Sequence, residues 1–96
     1  MAGAEGGGPL SGLKVLELGQ LIAGPFCGQL LADFGAEVVK VEPPGTGDAM
    51  RQWGRADAHG RTAWWSVIAR GKKSVTIDLR TGEGQALARD LAARAD

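Results

Sequence analysis

The sequence is poor in the residues that build disulfides, metal sites and nucleophilic triads. Its 96 residues include one cysteine, one histidine and no tyrosine. A single cysteine cannot form an internal disulfide, so we expect a reducing compartment, the cytoplasm or an organellar matrix. Cys27 lies in an apolar helical stretch and is predicted to be a buried packing thiol, not a nucleophile. His59 stands alone in a polar, glycine-rich stretch, which argues against a metal site and a Ser/His/Asp triad.

The sequence also lacks net charge and long hydrophobic runs. Eleven Lys and Arg balance eleven Asp and Glu, so no overall basic field attracts nucleic acid or an anionic membrane. No apolar run approaches the roughly 20 residues that span a bilayer. The start MAGAEGGGPL has neither the basic head nor the apolar core of a signal peptide. We expect no nucleic-acid or membrane partner, and a disordered leader over residues 1–8.

The sequence does contain a βαβ pattern. The run KVLEL is followed by a Gly/Pro turn, an apolar stretch of helical spacing and the β-branched run AEVVKVE. A helix between two strands of one sheet implies a right-handed parallel crossover. The fold class is therefore α/β with a parallel sheet. Strands are predicted at residues 13–18, 38–41 and 74–79, a short helix at 62–69, and longer helices at 26–34 and 81–94, the last capped by Thr81.

The chain is short for this fold class. A parallel sheet needs helices on both of its faces. Three predicted strands and two convincing helices are too few to cover both. We therefore expect these 96 residues to be the start of a larger domain, with further chain or a partner covering the remaining surface.

The turn at residues 19–25 is the first candidate site. Ligands of open α/β sheets bind at the carboxyl ends of the strands, and free N–H groups at a helix start suit an anion. The spacing is not Gly-x-Gly-x-x-Gly, and Pro25 removes one donor. Glu42 lies near the place of the ribose-binding acid in dinucleotide folds, about 20 residues on. A ligand-binding turn and a purely structural turn both stay open here.

Basic and aromatic residues gather in the second half of the chain. The run GKKS at residues 71–74 is not a phosphate-binding loop, because the upstream glycine is missing and a strand follows. Lys72 and Lys73 are instead predicted to be solvated. Trp64 and Trp65 cannot both face one core, so one is expected against a ligand, a partner or further chain. Four arginines are predicted to be mostly solvated charges: Arg51, Arg55, Arg61 and Arg70.

Several stretches resemble the family III CoA-transferases, a family that also includes acyl-CoA racemases. They are PLSGLKVLEL, the tripeptide AGP, LLADFGAEVVKVEPPGTGD with Arg51 and Trp53, GKKSVTIDL, and the final helix. The resemblance runs in order through nearly everything after residue 8. It implies that residues 9–96 are the N-terminal part of a CoA-binding, Rossmann-like domain.

The resemblance also implies an activity. Family members exchange CoA between an acyl-CoA and a free carboxylic acid, with CoA thioesters as substrates and no tightly bound cofactor. An aspartate attacks the thioester, and a covalent aspartyl intermediate follows. That aspartate lies beyond the equivalent of Asp96, so the chain holds no catalytic residue and is expected to be inactive alone. Family homodimers are interlocked rings, which we expect for the full-length protein.

The resemblance assigns CoA contacts to two short segments of this chain. Three residues lie along the pantetheine and thioester end and three near the adenine end: Leu21, Ile22 and Ala23, then Ile77, Leu79 and Arg80. One family branch has an arginine directly after the acid of strand two, where this chain has Pro43. That branch also has a polar residue in place of Ile22. Both differences argue against that branch and its small-acid substrates.

Three other functions are compatible with the sequence. An acyl-CoA racemase or isomerase would keep the fold and transfer a proton α to the thioester. A non-enzymatic binding or dimerisation module would end at Asp96. A dinucleotide-binding oxidoreductase fragment would rest on Glu42 and the first turn alone.

Overall fold

The computed structural model describes residues 8–96, which form a three-stranded parallel sheet with helices. The strands are β1 (Lys14–Glu17), β2 (Glu37–Glu42) and β3 (Lys72–Thr76), in the spatial order β1-β2-β3. Both strand pairs are parallel. The parallel α/β sheet predicted from the sequence is therefore confirmed. The third strand begins two residues earlier than predicted and ends at Thr76.

The helices also follow the predicted order. They are α1 (Ala23–Asp33), a 3₁₀ helix (Ala49–Gln52), α2 (Ala63–Ile68) and α3 (Gly82–Ala93). Thr81 caps α3, as predicted, because its hydroxyl accepts a hydrogen bond from the Gly84 N–H at 2.9 Å. Thr62 caps α2 in the same way through the Trp65 N–H at 3.2 Å. Helices α2 and α3 thus both begin directly after a capping threonine.

The two faces of the sheet differ in chemistry. Strand register places Glu17 beside Lys40, and Lys40 beside Ser74, so charged side chains share the face that α1 covers. The alternate residues, among them Leu16 and Val41, share the other face. The end of α3 returns to β1, where the Asp96 N–H donates to the Lys14 carbonyl at 2.8 Å. The polar face therefore lies under α1, and the chain after α3 meets the sheet at the edge strand β1.

Helix α1 presents its apolar stripe outward. Pro25, Gly28 and Gln29 are its buried residues, whereas Phe26 and Cys27 are exposed. The prediction that Cys27 is a buried thiol was therefore wrong. The physical reason is that the sheet face beneath α1 carries charged side chains, so small and polar helix residues meet it.

Two further predictions concern the leader and a membrane span. The disordered leader predicted over residues 1–8 falls, except for Gly8, outside the described residues. Within residues 8–96, no helix has both the length and the apolar character required to cross a membrane.

Candidate functional site

A cleft of about 260 Å³ opens at the carboxyl ends of the strands. Its eight lining residues come from the ends of all three strands and the segments after them: Leu18, Gln20, Val41, Pro43, Ile77, Asp78, Leu79 and Arg80. Open α/β sheets bind their ligands at the carboxyl ends of their strands. Three of the six residues assigned to CoA by resemblance therefore line one cleft.

The cleft has an apolar floor and a charged rim. Val41 and Ile77 are buried, and the Ile77 N–H continues the sheet by donating to the Glu42 carbonyl at 3.0 Å. At the rim, Arg80 donates to both carboxylate oxygens of Asp78, at 3.0 and 3.2 Å. These side-chain hydrogen bonds lower the pKa of Asp78. A guanidinium has five N–H donors, so Arg80 keeps donors free to face an anion at the rim.

The other three residues assigned to CoA lie on the β1–α1 turn, residues 19–25. Leu21 and Ile22 are exposed at its tip. They directly follow Gln20, which lines the cleft. The turn is pinched at its base, since a Cβ on Gly24 would lie 3.2 Å from the Gly19 Cα. Leu21 adopts a left-handed φ of 68°, which is uncommon for a residue with a side chain. The apolar tip of the turn thus lies beside the cleft, whereas Gln20 at the start of the turn lines it.

Both ends of the β1–α1 turn are held by lysines that the sequence did not identify. The Lys40 ammonium donates to the Gly19 carbonyl at 3.1 Å, and the Lys72 ammonium donates to the Pro25 carbonyl at 2.7 Å. The prediction that Lys72 is solvated was wrong, whereas Lys73 is exposed and pairs with Glu37. Alternation along β3 sends these neighbouring side chains to opposite faces. One sequence signal could have revealed this buried polar face. In β2, charged residues Lys40 and Glu42 follow Val38 at every second position, so they share one face of the strand.

Glu42 does not fit the ribose-binding acid of a dinucleotide fold. Arg51 donates to both of its carboxylate oxygens at 2.7 Å, and Ser74 and the Asp48 N–H donate to it as well. The Arg51 hydrogen bond is the main cause that lowers the Glu42 pKa to about 2. The side chain is buried on the face under α1. The Glu42 carboxylate is thus engaged inside the protein and is not available to bind a ribose. This argues against the dinucleotide-binding hypothesis.

The tryptophans diverge, as their adjacency predicted. Arg51 lies over the Trp65 ring at 4.3 Å from its centroid, while Trp64 contacts Trp53 at 5.9 Å between ring centroids. Arg51 is therefore not a solvated charge, because it joins Glu42 to an aromatic ring. Among residues 8–96, no three His, Cys, Asp or Glu side chains gather as a possible metal site.

Comparisons with known proteins identify the family. The sequence profile described as CoA-transferase family III matches residues 10–96. A succinyl-CoA–D-citramalate CoA-transferase of Chloroflexus aurantiacus is 68% identical over 88 residues, which cover 92% of this chain and 22% of that protein. The alpha subunit of a succinyl-CoA–L-malate CoA-transferase from the same organism is 51% identical over 89 residues, covering 92% of this chain and 21% of that subunit.

A solved structure agrees with the sequence matches. The crystal structure of a CAIB/BAIF family protein from Brucella suis superposes with a TM-score of 0.83 at 49% identity, covering 93% of this chain and 24% of that one. The chain therefore spans less than a quarter of the length of each of these relatives. The profile match and the level of identity confirm the resemblance noted from the sequence motifs. The chain belongs to CoA-transferase family III.

Proposed function

We propose that the full-length protein, the product of the complete reading frame that contains this chain, transfers CoA from an acyl-CoA to a free carboxylic acid. Residues 9–96 form the first part of its CoA-binding domain. The cleft at the carboxyl ends of the strands is the observation that carries this proposal. Its apolar floor suits the adenine end of CoA, and the free donors of Arg80 suit a phosphate.

The substrates are a CoA thioester and a dicarboxylic acid. The relatives described above are named for succinyl-CoA with citramalate or malate, which supports a dicarboxylate acceptor here. Leu21, Ile22 and Ala23 contact the pantetheine and thioester end, and Ile77, Leu79 and Arg80 lie near the adenine end. The apolar tip of the β1–α1 turn keeps water from the reacting thioester.

The reaction proceeds through an aspartate that lies beyond residue 96. Its carboxylate attacks the thioester carbonyl, so that CoA leaves as a thiolate and a mixed anhydride forms. The thiolate then attacks the aspartyl carbonyl of the anhydride, which releases the donor acid and leaves an aspartyl-CoA thioester. The acceptor carboxylate attacks this thioester, which releases the CoA thiolate and forms a second mixed anhydride. The thiolate then attacks the acceptor's acyl carbonyl, so that the new acyl-CoA forms and the aspartate is freed. The role of residues 9–96 is to hold CoA in register with that carboxylate.

The test is a transfer assay on the full-length protein. Succinyl-CoA is mixed with citramalate, malate or glutarate, and new CoA thioesters are detected by mass spectrometry. We expect transfer by the full-length protein and none by the 96-residue chain alone. Transfer by the short chain would contradict the position of the nucleophile. Exchange of the α-proton with deuterium, without transfer to any acid, would identify an acyl-CoA racemase instead.

The proposed assembly is an interlocked homodimer. The exposed apolar stripe of α1, which includes Phe26 and Leu30, supports burial against further chain or a second copy. Light scattering on the full-length protein measures the assembly mass. A protein that assembles only with a second, different subunit would contradict the homodimer. One relative is itself named an alpha subunit.

A further inference from the structure

Four charged side chains are buried together beneath the β1–α1 turn. They are two carboxylates and two ammonium groups, each at most 3% exposed: Glu17, Asp48, Lys40 and Lys72. Burying charges is costly, and a hydrophobic cluster of the same volume often serves stability as well or better. A buried cluster of balanced charge therefore invites a role other than stability.

Glu17 joins the two lysines. The Lys40 ammonium donates a hydrogen bond to Glu17 Oε2 at 2.6 Å, while the Lys72 ammonium lies 2.7 Å from Glu17 Oε1. The Lys72 contact is at ion-pair distance but is not aligned as a hydrogen bond. Lys72 has its aligned hydrogen bond elsewhere, with the Pro25 carbonyl at 2.7 Å. One carboxylate thus pairs with both cations, and each ammonium also donates a hydrogen bond to a carbonyl of the turn.

The two lysines contact opposite ends of the turn. Lys40 donates to the carbonyl of Gly19, where the turn leaves β1, and Lys72 donates to the carbonyl of Pro25, in the first turn of α1. Between these fixed carbonyls lies Leu21 with its left-handed backbone. A strained residue of this kind persists only where the surrounding structure holds the chain on both sides.

The packing of α1 depends on the same cluster. A Cβ on Gly28 would collide with Glu17 Oε1 and lie 3.4 Å from the Lys72 Cε. The helix therefore sits directly on the carboxylate that joins the lysines. Asp48 extends the cluster, because its Oδ2 lies 2.7 Å from the Lys40 ammonium while its Oδ1 accepts the Met50 N–H at 2.8 Å.

We propose that Lys40 and Lys72, with Glu17 as their shared counter-ion, are positioning residues that fix the shape of the β1–α1 turn for CoA. The identity of the ligand rests on the proposed function, whereas the mechanical role does not. Without the Lys72 ammonium, the Pro25 end of the turn is released and Glu17 keeps only one cation. The turn then samples several conformations, of which only a fraction binds CoA.

The first measurement is CoA affinity in the full-length protein by isothermal titration calorimetry. Lys72→Met removes the ammonium and keeps a side chain of similar length. Lys73→Met is the matched control, because this neighbouring lysine is 70% exposed and pairs only with exposed Glu37 at 2.8 Å. We expect the Kd for CoA to rise about tenfold or more in Lys72→Met, since a hydrogen bond from a charged donor is lost. Lys73→Met should match the wild type.

The second measurement is amide hydrogen exchange in the segment 19–25 without any ligand. We expect faster exchange there in Lys72→Met than in Lys73→Met, with the strands β1 and β2 unchanged. A merely structural role would lower the melting temperature without changing this local exchange or the Kd. Should Lys72→Met fail to fold, Lys72→Gln loses the charge with less apolar character and takes its place with the same two readouts.

The outcomes separate this proposal from the proposed function. Equal exchange and equal Kd in the two lysine variants would overturn the positioning role. Suppose that segment 19–25 exchanges faster in Lys72→Met but that the wild-type protein neither binds nor transfers CoA. That result would support the positioning role and overturn the proposed function.

Discussion

Glu42 is a buried carboxylate with every strong contact directed at its ionised form. Its pKa falls from 4.5 to about 2, first because of the Arg51 hydrogen bond and then that of Ser74. A group whose folded pKa is depressed contributes stability above its unfolded pKa and loses it as pH falls toward the folded value. The contribution of Glu42 is therefore complete above about pH 4.5 and disappears toward pH 2.

Replacing Glu42 by glutamine should remove this pH dependence. We expect Glu42→Gln to lower the unfolding free energy of the full-length protein by roughly 3 kcal/mol at pH 7, since the pKa shift from 4.5 to about 2 corresponds to about 1.4 kcal/mol per unit. The difference from the wild type should shrink between pH 4.5 and pH 2. Melting temperatures across this range check it. Glu37→Gln, which breaks only the exposed pair with Lys73, is the control and should change little.

Leu21 separates binding from stability at a single residue. Its left-handed φ of 68° disfavours leucine but is tolerated by asparagine. We expect Leu21→Asn to leave the melting temperature unchanged or slightly raised, because the exposed side chain buries little. The Kd for CoA should nevertheless rise about tenfold through the lost apolar contact.

Leu87→Asn is the matched control for this substitution. Leu87 is an exposed leucine on α3, away from the cleft and the turn. It should lower the melting temperature slightly through helix propensity and leave the Kd for CoA unchanged. An unchanged Kd in Leu21→Asn would show that the tip of the turn makes no contact with CoA.

At the scale of elements, the sequence predicted what local periodicity encodes. Alternating and helical spacings gave the strands and helices in order, and Thr62 and Thr81 marked two helix starts. Periodicity did not tell which face of α1 meets the sheet. That choice depends on Glu17, Lys40 and Lys72, which come together only through strand register across three strands.

The candidate site also has a part that the sequence predicted and a part that it did not. The edge of the sheet where ligands bind followed from the βαβ pattern, and the six proposed CoA contacts followed from the family resemblance. The buried charges beneath the turn could not be predicted, because lysine and glutamate in isolation indicate solvent exposure. Lys72 and Lys73 are adjacent and chemically identical, so only the phase of β3 distinguishes the buried lysine from the exposed one.

The contact between α1 and the sheet predicts an inverted effect for one glycine substitution. Gly→Ala inside a helix usually stabilises by up to about 1 kcal/mol. At Gly28 the new Cβ would displace the Glu17 carboxylate, which two lysines hold in place. We expect Gly28→Ala to destabilise the full-length protein by about 1 to 3 kcal/mol, measured by thermal melting.

Gly82→Ala is the control for this effect. Gly82 is the first residue of α3, and a Cβ there would meet no atom within 4 Å. We expect no loss of stability in this variant. A gain of stability in Gly28→Ala would mean that Glu17 can move aside freely, which would weaken the case for a rigid cluster.

At the scale of the whole molecule, helix α1 covers a sheet face rich in buried ion pairs and leaves its own apolar stripe exposed. The face under α1 holds the ion pairs, while α1 exposes Phe26 and Leu30, and its C-cap Phe34 is exposed as well, at fractions of 50%, 43% and 53%. These three residues are spaced four apart and therefore lie along one face of the helix. A contiguous apolar face of this kind marks a contact with further protein.

This apolar face predicts how the 96-residue chain behaves when it is made alone. We expect it to self-associate in light scattering and to bind a hydrophobic dye, and the double variant Leu30→Gln/Phe34→Gln to reduce both. Leu87→Gln removes a single exposed leucine, 56% accessible, from α3 and should change neither readout. In the full-length protein the same double variant should lower the melting temperature, because the face is then covered and loses buried apolar contacts. A monomeric short chain that binds no dye would contradict the prediction, and the stripe on α1 would then be a tolerated surface.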